Sequence, residues 1–476
     1  MFKHSPRQIA TALLAAGILS GCSLAPQYVR PQAPIATAYP SNGYGQPAGA
    51  GEAASAITLG WRQYFPDPQL QALIADALEN NRDLRTAALN IQEARALYNI
   101  QSADRLPNIN AVAAGSRAPT GNNNISTSYQ VGLSLASFEL DFFGRVRNLS
   151  EAALNEYLAT EEARQAVQIS LVAQVAQAYL AERAFAEQLT LAQSTLDGRQ
   201  TTYQLAQKRF EVGATSALDL RLNETLVQSA RISVATLARQ RAQAENALTL
   251  LVGKPLAEKP AGPTLSEQNL VTDIPAGLPS DLLTRRPDIR AAELRLKAAN
   301  ANIGAARAAF FPRISLTAGI GTVSDELSGL FKAGSRAWTF APQLVLPIFD
   351  AGRNRGNLNL AEVRKDLAVA AYEKSIQTAF REVADALVAR GSLDEQIDAQ
   401  QAFLDATAER LKLADLRYQS GVASSLDVLD AQRDLFSAQQ SLVQTRLLRL
   451  TNAIDLYRAL GGGLNESTSV ALNGSP

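Results

Sequence analysis

The residues best placed to do chemistry in this chain are carboxylates. Asp427 and Asp430 stand three apart in Gly421-Val422-Ala423-Ser424-Ser425-Leu426-Asp427-Val428-Leu429-Asp430-Ala431-Gln432-Arg433, just as an apolar heptad pattern begins. A Gly followed by Ser and then spaced apolar residues reads as one helix ending and another starting. Residues three apart share a helix face, so both acids point to one side within the first turns. Solvated carboxylates capping a helix N-terminus, where the dipole favours negative charge, would explain that much. A second occurrence changes the reading. Arg209-Phe210-Glu211-Val212-Gly213-Ala214-Thr215-Ser216-Ala217-Leu218-Asp219-Leu220 repeats the pattern, and Gly213, Phe210, Ser216 and Asp219 match Gly421, Tyr418, Ser424 and Asp427, all 208 positions apart. The chain reads as a tandem duplication.

Composition removes most other chemistry. The chain has 476 residues, enough for two or three ordinary domains, and its 45 basic residues balance 45 acidic ones. No bulk charge points to nucleic acid. His4, Cys22 and Met1 are each the single residue of their type. Beyond the N-terminal segment there is therefore no imidazole or thiol for Ser-His or Cys-His catalysis, for a zinc site, or for a disulfide. Catalysis by carboxylates alone, as in glycosidases, would still need a pocket to hold them. Neither an enzyme nor a metal or other cofactor is expected.

The elements that must position the paired motifs can be read in order. Residues 1–21 carry a basic start (Lys3, Arg7) and an apolar run from Ile9 to Leu19, the form of a cleavable secretory signal. Leu19-Ser20-Gly21-Cys22 resembles the bacterial lipobox, so Cys22 is expected to be acylated and to become the mature N-terminus. Residues 22–65 then form a lipidated, Pro- and Gly-rich tether. A first repeat over 66–253 opens with a helix whose 3.6-residue period runs from Leu70 to about Arg105 and stops at Pro107. From Asn108 the period becomes two, with a strand over Ile109–Ala113, a polar loop over Pro119–Asn124 and a strand through Tyr129, Val131, Leu133 and Leu135. Strands of roughly ten residues cross a membrane when tilted. After Phe142-Phe143-Gly144 a very long helix, with Gly198 as a possible interruption, is predicted up to Gly213, and another from about Ser216 to Leu251.

A Pro-rich linker over 254–280 precedes a second repeat of the same plan over 281–463, and residues 464–476 form a tail. Arg286-Pro287-Asp288 matches Asn81-Arg82-Asp83, Phe311-Pro312 matches Leu106-Pro107, and Gly352-Arg353 matches Gly144-Arg145. One strand holds Ile314, Leu316, Ala318 and Ile320, and its partner places Trp338, Phe340, Leu344 and Leu346 on one face. Long helices follow, the first with Gly391 as a possible break. In the last, Leu429, Phe436, Val443, Leu450 and Tyr457 recur every seven residues, a coiled-coil stripe. The chain thus supplies four strands, and known membrane barrels start at eight. Closure removes the unpaired edges that a bilayer does not tolerate, so the chain must oligomerise. Phe142, Phe143, Phe310, Phe311, Trp338 and Phe349 suit an interfacial aromatic girdle.

The lipobox, the duplication, the Trp61-x-x-x-Phe65-x-Asp67-Pro68 start and the two Gly-x-x-Ser-x-Leu-Asp turns resemble the TolC-like outer-membrane efflux channels, closest to their lipoprotein branch, over nearly everything after residue 21. The resemblance implies a homotrimer in the outer membrane: a twelve-stranded β-barrel, four strands per chain, continued by a coiled-coil α-helical barrel in the periplasm. It implies as partners a periplasmic adaptor and a proton-driven inner-membrane pump, with small molecules or drugs passing passively to the exterior. Ser23 after the cysteine fits sorting to the outer membrane. By matching positions, Asp427 and Asp430 correspond to acids that narrow the periplasmic mouth, Asp219 to a constriction partner, and Tyr418 and Arg433 to interhelical locks, with Gly213 and Gly421 at the helix-turn tips. Asp430 has no first-copy counterpart, since Leu222 stands there, and Ala423 stands where some relatives carry an Arg. Carboxylates about 8 Å apart would repel by roughly 2 kcal/mol at an effective dielectric near 20, so a closed mouth needs a cation, protonation or a partner such as Arg433. Two further readings are the exit duct of a protein-secretion system and a coiled-coil lipoprotein scaffold without a pore.

Overall fold

A computed structural model describes residues 23–39, 56, 58–120, 124–257, 262–270, 274 and 279–467. Cys22, the signal segment and most of the C-terminal tail lie outside the described residues. Two units divide the chain. One gathers the described residues up to Ala33 with Leu89–Glu162 and Arg290–Lys374, and the other gathers Pro34–Ala88, Ala163–Ile289 and the chain from Ser375 onward.

The first unit contains an antiparallel sheet in sequence order, made of β1 (Ile109–Thr120), β2 (Asn124–Leu140), β3 (Arg313–Ser324) and β4 (Arg336–Val345). Alternation puts Leu133, Ile320 and Trp338 in one cross-strand row, and all three remain more than half exposed. Such a face demands a further apolar environment. Pro119 and Thr120, expected in a loop, continue β1 and pair with Ile125 and Asn124. They are the last two positions of β1, where the ladder is ending and a missing donor costs least. Trp338, the third residue of β4, lies opposite Ile320. Phe143 and Phe311 stack with ring centres 4.8 Å apart where the strands give way to helices.

The helices that flank the sheet in sequence are α1 (Pro68–Asn80), α2 (Arg82–Ala103), α3 (Arg145–Glu211), α4 (Ala217–Val252), α5 (Pro287–Ala308), α6 (Arg353–Gln419) and α7 (Ser425–Ala459). At 67 residues each, α3 and α6 rise about 100 Å along their axes. Neither Gly198 nor Gly391 interrupts them. One helical glycine costs only about 1 kcal/mol, less than breaking a long packed helix. None of the described helices is long and apolar enough to cross a membrane.

The second unit packs around aromatic side chains. Tyr64 stacks on Tyr457 at 4.0 Å and meets the edge of Phe65 at 4.7 Å, with Leu70, Ile74 and Leu248 also fully buried. Burying each large apolar side chain contributes about 1.5–3 kcal/mol. Asp67 caps α1, accepting from Gln69 N at 2.9 Å and from the buried Tyr179 hydroxyl at 2.6 Å.

The single helix expected from Leu70 to Arg105 is instead broken at Asn81, whose backbone is extended. Its Oδ1 accepts from Leu84 N at 2.9 Å, capping α2, while its Nδ2 donates to Leu251 O at 2.8 Å. Apolar spacing runs through the break although burial does not: Leu70, Leu73, Ile74 and Ala77 are buried before it, whereas beyond Leu84 the apolar Leu89, Leu97 and Ile100 are exposed. The second copy solves the same problem with Arg286, extended before Pro287, whose Nη1 donates to Ala459 O at 2.8 Å. Leu251 and Ala459 are again 208 apart, and the following Gly253 and Gly461 both turn left-handed, at φ 79° and 86°. Arg286 also pairs with Asp288 at 2.6 Å and Glu382 at 2.9 Å. Asn81→Ala is expected to cost about 1–2 kcal/mol, as losing a helix cap and one hydrogen bond does. Arg286→Ala should cost more, because Asp288 loses its partner, Glu382 keeps only Arg458 at 3.9 Å and Ala459 O loses its donor. Urea midpoints of the detergent-solubilised variants check this, and an equal or larger effect at Asn81 would contradict it.

Candidate functional site: the paired helix turns

Both turns are built the same way, and both belong to the second unit. Gly213 at φ 72° and Gly421 at φ 73° take the left-handed conformation that ends α3 and α6, where a side chain would be strained. Gly213 N donates to Phe210 O at 3.0 Å and Ala214 N to Arg209 O at 2.7 Å, and Gly421 N and Val422 N repeat this on Tyr418 O and Arg417 O. Ser216 and Ser424 then cap α4 and α7.

The matched acids do different work. In the second copy Asp427 closes a capping box, its Oδ2 accepting from Ser424 N at 3.2 Å. In the first copy Asp219 reaches across to the other turn, where its Oδ1 accepts from the Ser425 hydroxyl at 2.6 Å. Its Oδ2 accepts from Ser216 at 2.8 Å and Thr215 at 3.3 Å. The bond from Ser425 and then that from Ser216 hold this carboxyl below its ordinary range. A second bridge joins the turns, in which Arg209 Nη1 donates to the Tyr418 hydroxyl at 3.3 Å.

Asp430 sits 3.3 Å from Arg433 on the same helix face, and Arg433 also approaches Asp434 at 3.7 Å. The ion pair that crosses from α7 to α6 is the neighbouring Arg410–Asp434, at 2.7 Å. Higher up, Arg446 donates to Gln401 at 3.1 Å, Arg449 pairs with Asp394, and Asn452 Nδ2 donates to Ala386 O at 2.9 Å. The heptad stripe Leu429, Val443, Leu450 and Tyr457 is buried, with Phe436 half-buried and Arg199 of α3 5.7 Å from its ring centre. Val212, Leu218 and Val422 stand exposed at the turns. Among the described residues no cluster of acids could hold a metal ion.

The structure therefore joins Asp219 to Ser425, Tyr418 to Arg209 and Asp430 to Arg433. Ser425, Arg209, Arg410 and Asp434 were not singled out in the sequence. A signal for two of these contacts was present: Ser425 replaces first-copy Ala217 and Tyr418 replaces Phe210, so each adds a hydroxyl at the turn.

Comparison with known proteins agrees with this plan. The family model described as "Outer membrane efflux protein" matches residues 73–254 and again 278–462, once per repeat. The chain is 46% identical over 472 residues to the toluene efflux pump outer membrane protein TtgC of Pseudomonas putida, covering 98% of this chain and 97% of that protein. It is 48% identical to the outer membrane protein OprJ of Pseudomonas aeruginosa, with 97% of each covered. The crystal structure of the open state of the MtrE outer membrane channel of Neisseria gonorrhoeae superposes with a TM-score of 0.87 at 46% identity, covering 94% of this chain and all of that one. Sequence, sheet and paired turns lead to one assignment: this chain belongs to the outer membrane efflux protein family, whose members are transport proteins of the outer membrane.

Proposed function

We propose that this efflux protein is a homotrimeric, passive exit duct, joined at its turns to a periplasmic adaptor and an inner-membrane pump. The observation that carries the reading is the doubled plan. A four-stranded sheet with an exposed apolar face continues into two 67-residue helices, each ending in a left-handed glycine turn. Three copies make a twelve-stranded barrel, within the range in which barrels close. Exposed Val212, Leu218 and Val422 offer an apolar rim for the adaptor. Small apolar and amphiphilic molecules are the proposed cargo, in keeping with the toluene pump component that the chain resembles. Acylation of Cys22 is proposed to add a lipid anchor. A pore-free scaffold would have no use for four membrane-length strands in one antiparallel sheet.

In this duct the Asp219–Ser425 and Arg209–Tyr418 bridges hold the turns closed, and the acids Asp427 and Asp430 with Arg433 line the mouth. An adaptor opens it by offering the turns other partners. Each hydroxyl bridge contributes about 1 kcal/mol. Three act together in a trimer, so Ser425→Ala should raise the open probability by about two orders of magnitude in planar bilayers. Asp427→Ala/Asp430→Ala should enlarge conductance and weaken cation selectivity without that rise. Conductance indifferent to both substitutions would move the constriction elsewhere, and no conductance from a folded trimer would overturn the channel reading.

The pH dependence follows from the lowered Asp219 carboxyl. A group depressed in the folded state contributes its stabilisation above its ordinary value of 3.8 and loses it as pH falls through the depressed value. Opening attributable to this bridge should therefore stay flat from pH 7.5 to about 5 and rise only below about 4. Recordings of wild type against Asp219→Asn across this range check it. A wild-type rise near pH 6 that is absent in Asp219→Asn would refute the assignment.

A further inference from the structure

The N-terminal residues 23–33 belong to the unit that holds the sheet, where they lie extended. They are not a loose tether. Residues 24–30 run antiparallel to α5 in fixed register. Arg307 Nη1 donates to Leu24 O at 3.4 Å, and Asn300 Nδ2 donates to Pro26 O at 2.7 Å. Lys297 Nζ lies 5.3 Å from the centre of the Tyr28 ring. Glu293 accepts from the Tyr28 hydroxyl at 3.1 Å and takes both arms of the Arg30 guanidinium, at 3.0 and 2.8 Å. Positions 293, 297, 300, 304 and 307 share one helix face.

Gly304 lets the two backbones meet, because a Cβ there would stand 2.7 Å from the Ala25 amide nitrogen and 2.5 Å from Asn148 Nδ2. Asn148, fully buried on α3, accepts from the Ser23 hydroxyl at 2.9 Å. The Glu293 side chain is only 7% exposed, so it needs the charge and donors that the segment supplies. Without them it keeps Lys297 at 3.5 Å.

We propose that residues 23–30 are an intramolecular latch. Fastened along α5 from Arg307 to Glu293, the segment fixes Ser23 beside Asn148 of α3, near the point where α5 leads into β3. It thereby holds that junction in place while the strands of neighbouring copies pair. Tyr28 and Arg30 are the clasp, Glu293 the keeper and Gly304 the channel through which the backbone passes. The bidentate Arg30–Glu293 fork gives one register rather than a sliding contact. The contacts involve only side chains and backbone, so the latch closes whether or not Cys22 is acylated.

Chymotrypsin cutting after Leu24 and Tyr28 reads the latch directly in the full-length protein in detergent-solubilised outer membranes, with the heat-modifiable trimer on gels as the second readout. Glu293→Gln should raise the cleavage rate by about tenfold or more and lower the yield of trimer. Tyr28→Phe/Arg30→Ala, which removes both donors to Glu293 but keeps an aromatic cleavage site at position 28, should do the same while leaving α5 untouched, which separates an open latch from a misfolded helix. The exchange Glu293→Arg with Arg30→Glu should restore both. A Cys22→Ser chain exported through an ordinary cleavable signal should be cut as slowly as wild type. Unchanged cleavage in the clasp variants would overturn the latch, as would cleavage in Cys22→Ser as fast as in Glu293→Gln. Faster cleavage with full trimer yield would overturn its role in assembly.

Discussion

Unpaired backbone groups on the edges of a four-stranded sheet are the constraint on which the rest of this molecule depends. β1 and β4 each pair on one side only among the described residues, while Leu133, Ile320 and Trp338 face outward. In a bilayer each open N–H and C=O would cost several kcal/mol, so the sheet is a fragment of a barrel rather than a domain. Copies must then stand side by side. The long helices that leave each strand pair are brought together by the same closure, and their apolar stripes find neighbours without a separate device.

Duplication multiplies elements at no cost in new folding solutions, and the two copies show where function has since departed from it. The joint between a repeat's last helix and its first is made twice, by Asn81 on Leu251 and by Arg286 on Ala459. Different side chains thus meet one requirement, a donor for a terminal helix carbonyl. At the turns the backbone is the same and the side chains diverge. Phe210, Ala217 and Leu222 of the first copy correspond to Tyr418, Ser425 and Asp430 of the second, so each change adds a polar atom. Two of these atoms bond across to the first copy. The turn is the shared scaffold, and the departures from symmetry bridge one turn to the other.

Period and repetition made much of this legible in the sequence. The change from 3.6 to two at Asn108, the matched glycines and the long heptad run each report a whole segment facing one environment. Single-residue events were harder to see. Asn81 breaks a helix without interrupting its apolar spacing, and Pro119 is accommodated because it stands next to the end of its strand. Gly198 and Gly391 sit within helices whose length outweighs their cost. Asp219 and Asp427 match in sequence yet diverge in contact, because Ser425 offers Asp219 a hydroxyl from the opposite turn. That partner depends on how two hairpins dock, which no local pattern encodes.

The chemistry of the bridges also bears on how the gate proposed above would open readily yet stay shut at rest. Asp219 with Ser425 and Arg209 with Tyr418 each join one charged group to one neutral hydroxyl. An ion–dipole contact is short-ranged and weakly screened, so it gives a definite closed geometry but little pull once the turns part. An ion pair would behave in the opposite way, reaching across a widening gap and weakening with salt. The ion pairs Arg410–Asp434 and Arg449–Asp394 instead lie within the second hairpin, between α6 and α7. The forces that persist with distance therefore stiffen one hairpin as a body, and the forces that vanish with distance tie the two hairpins together. In the proposed gate, breaking the short bridges would free the second hairpin to swing whole, with little electrostatic attraction drawing it back until the turns met again.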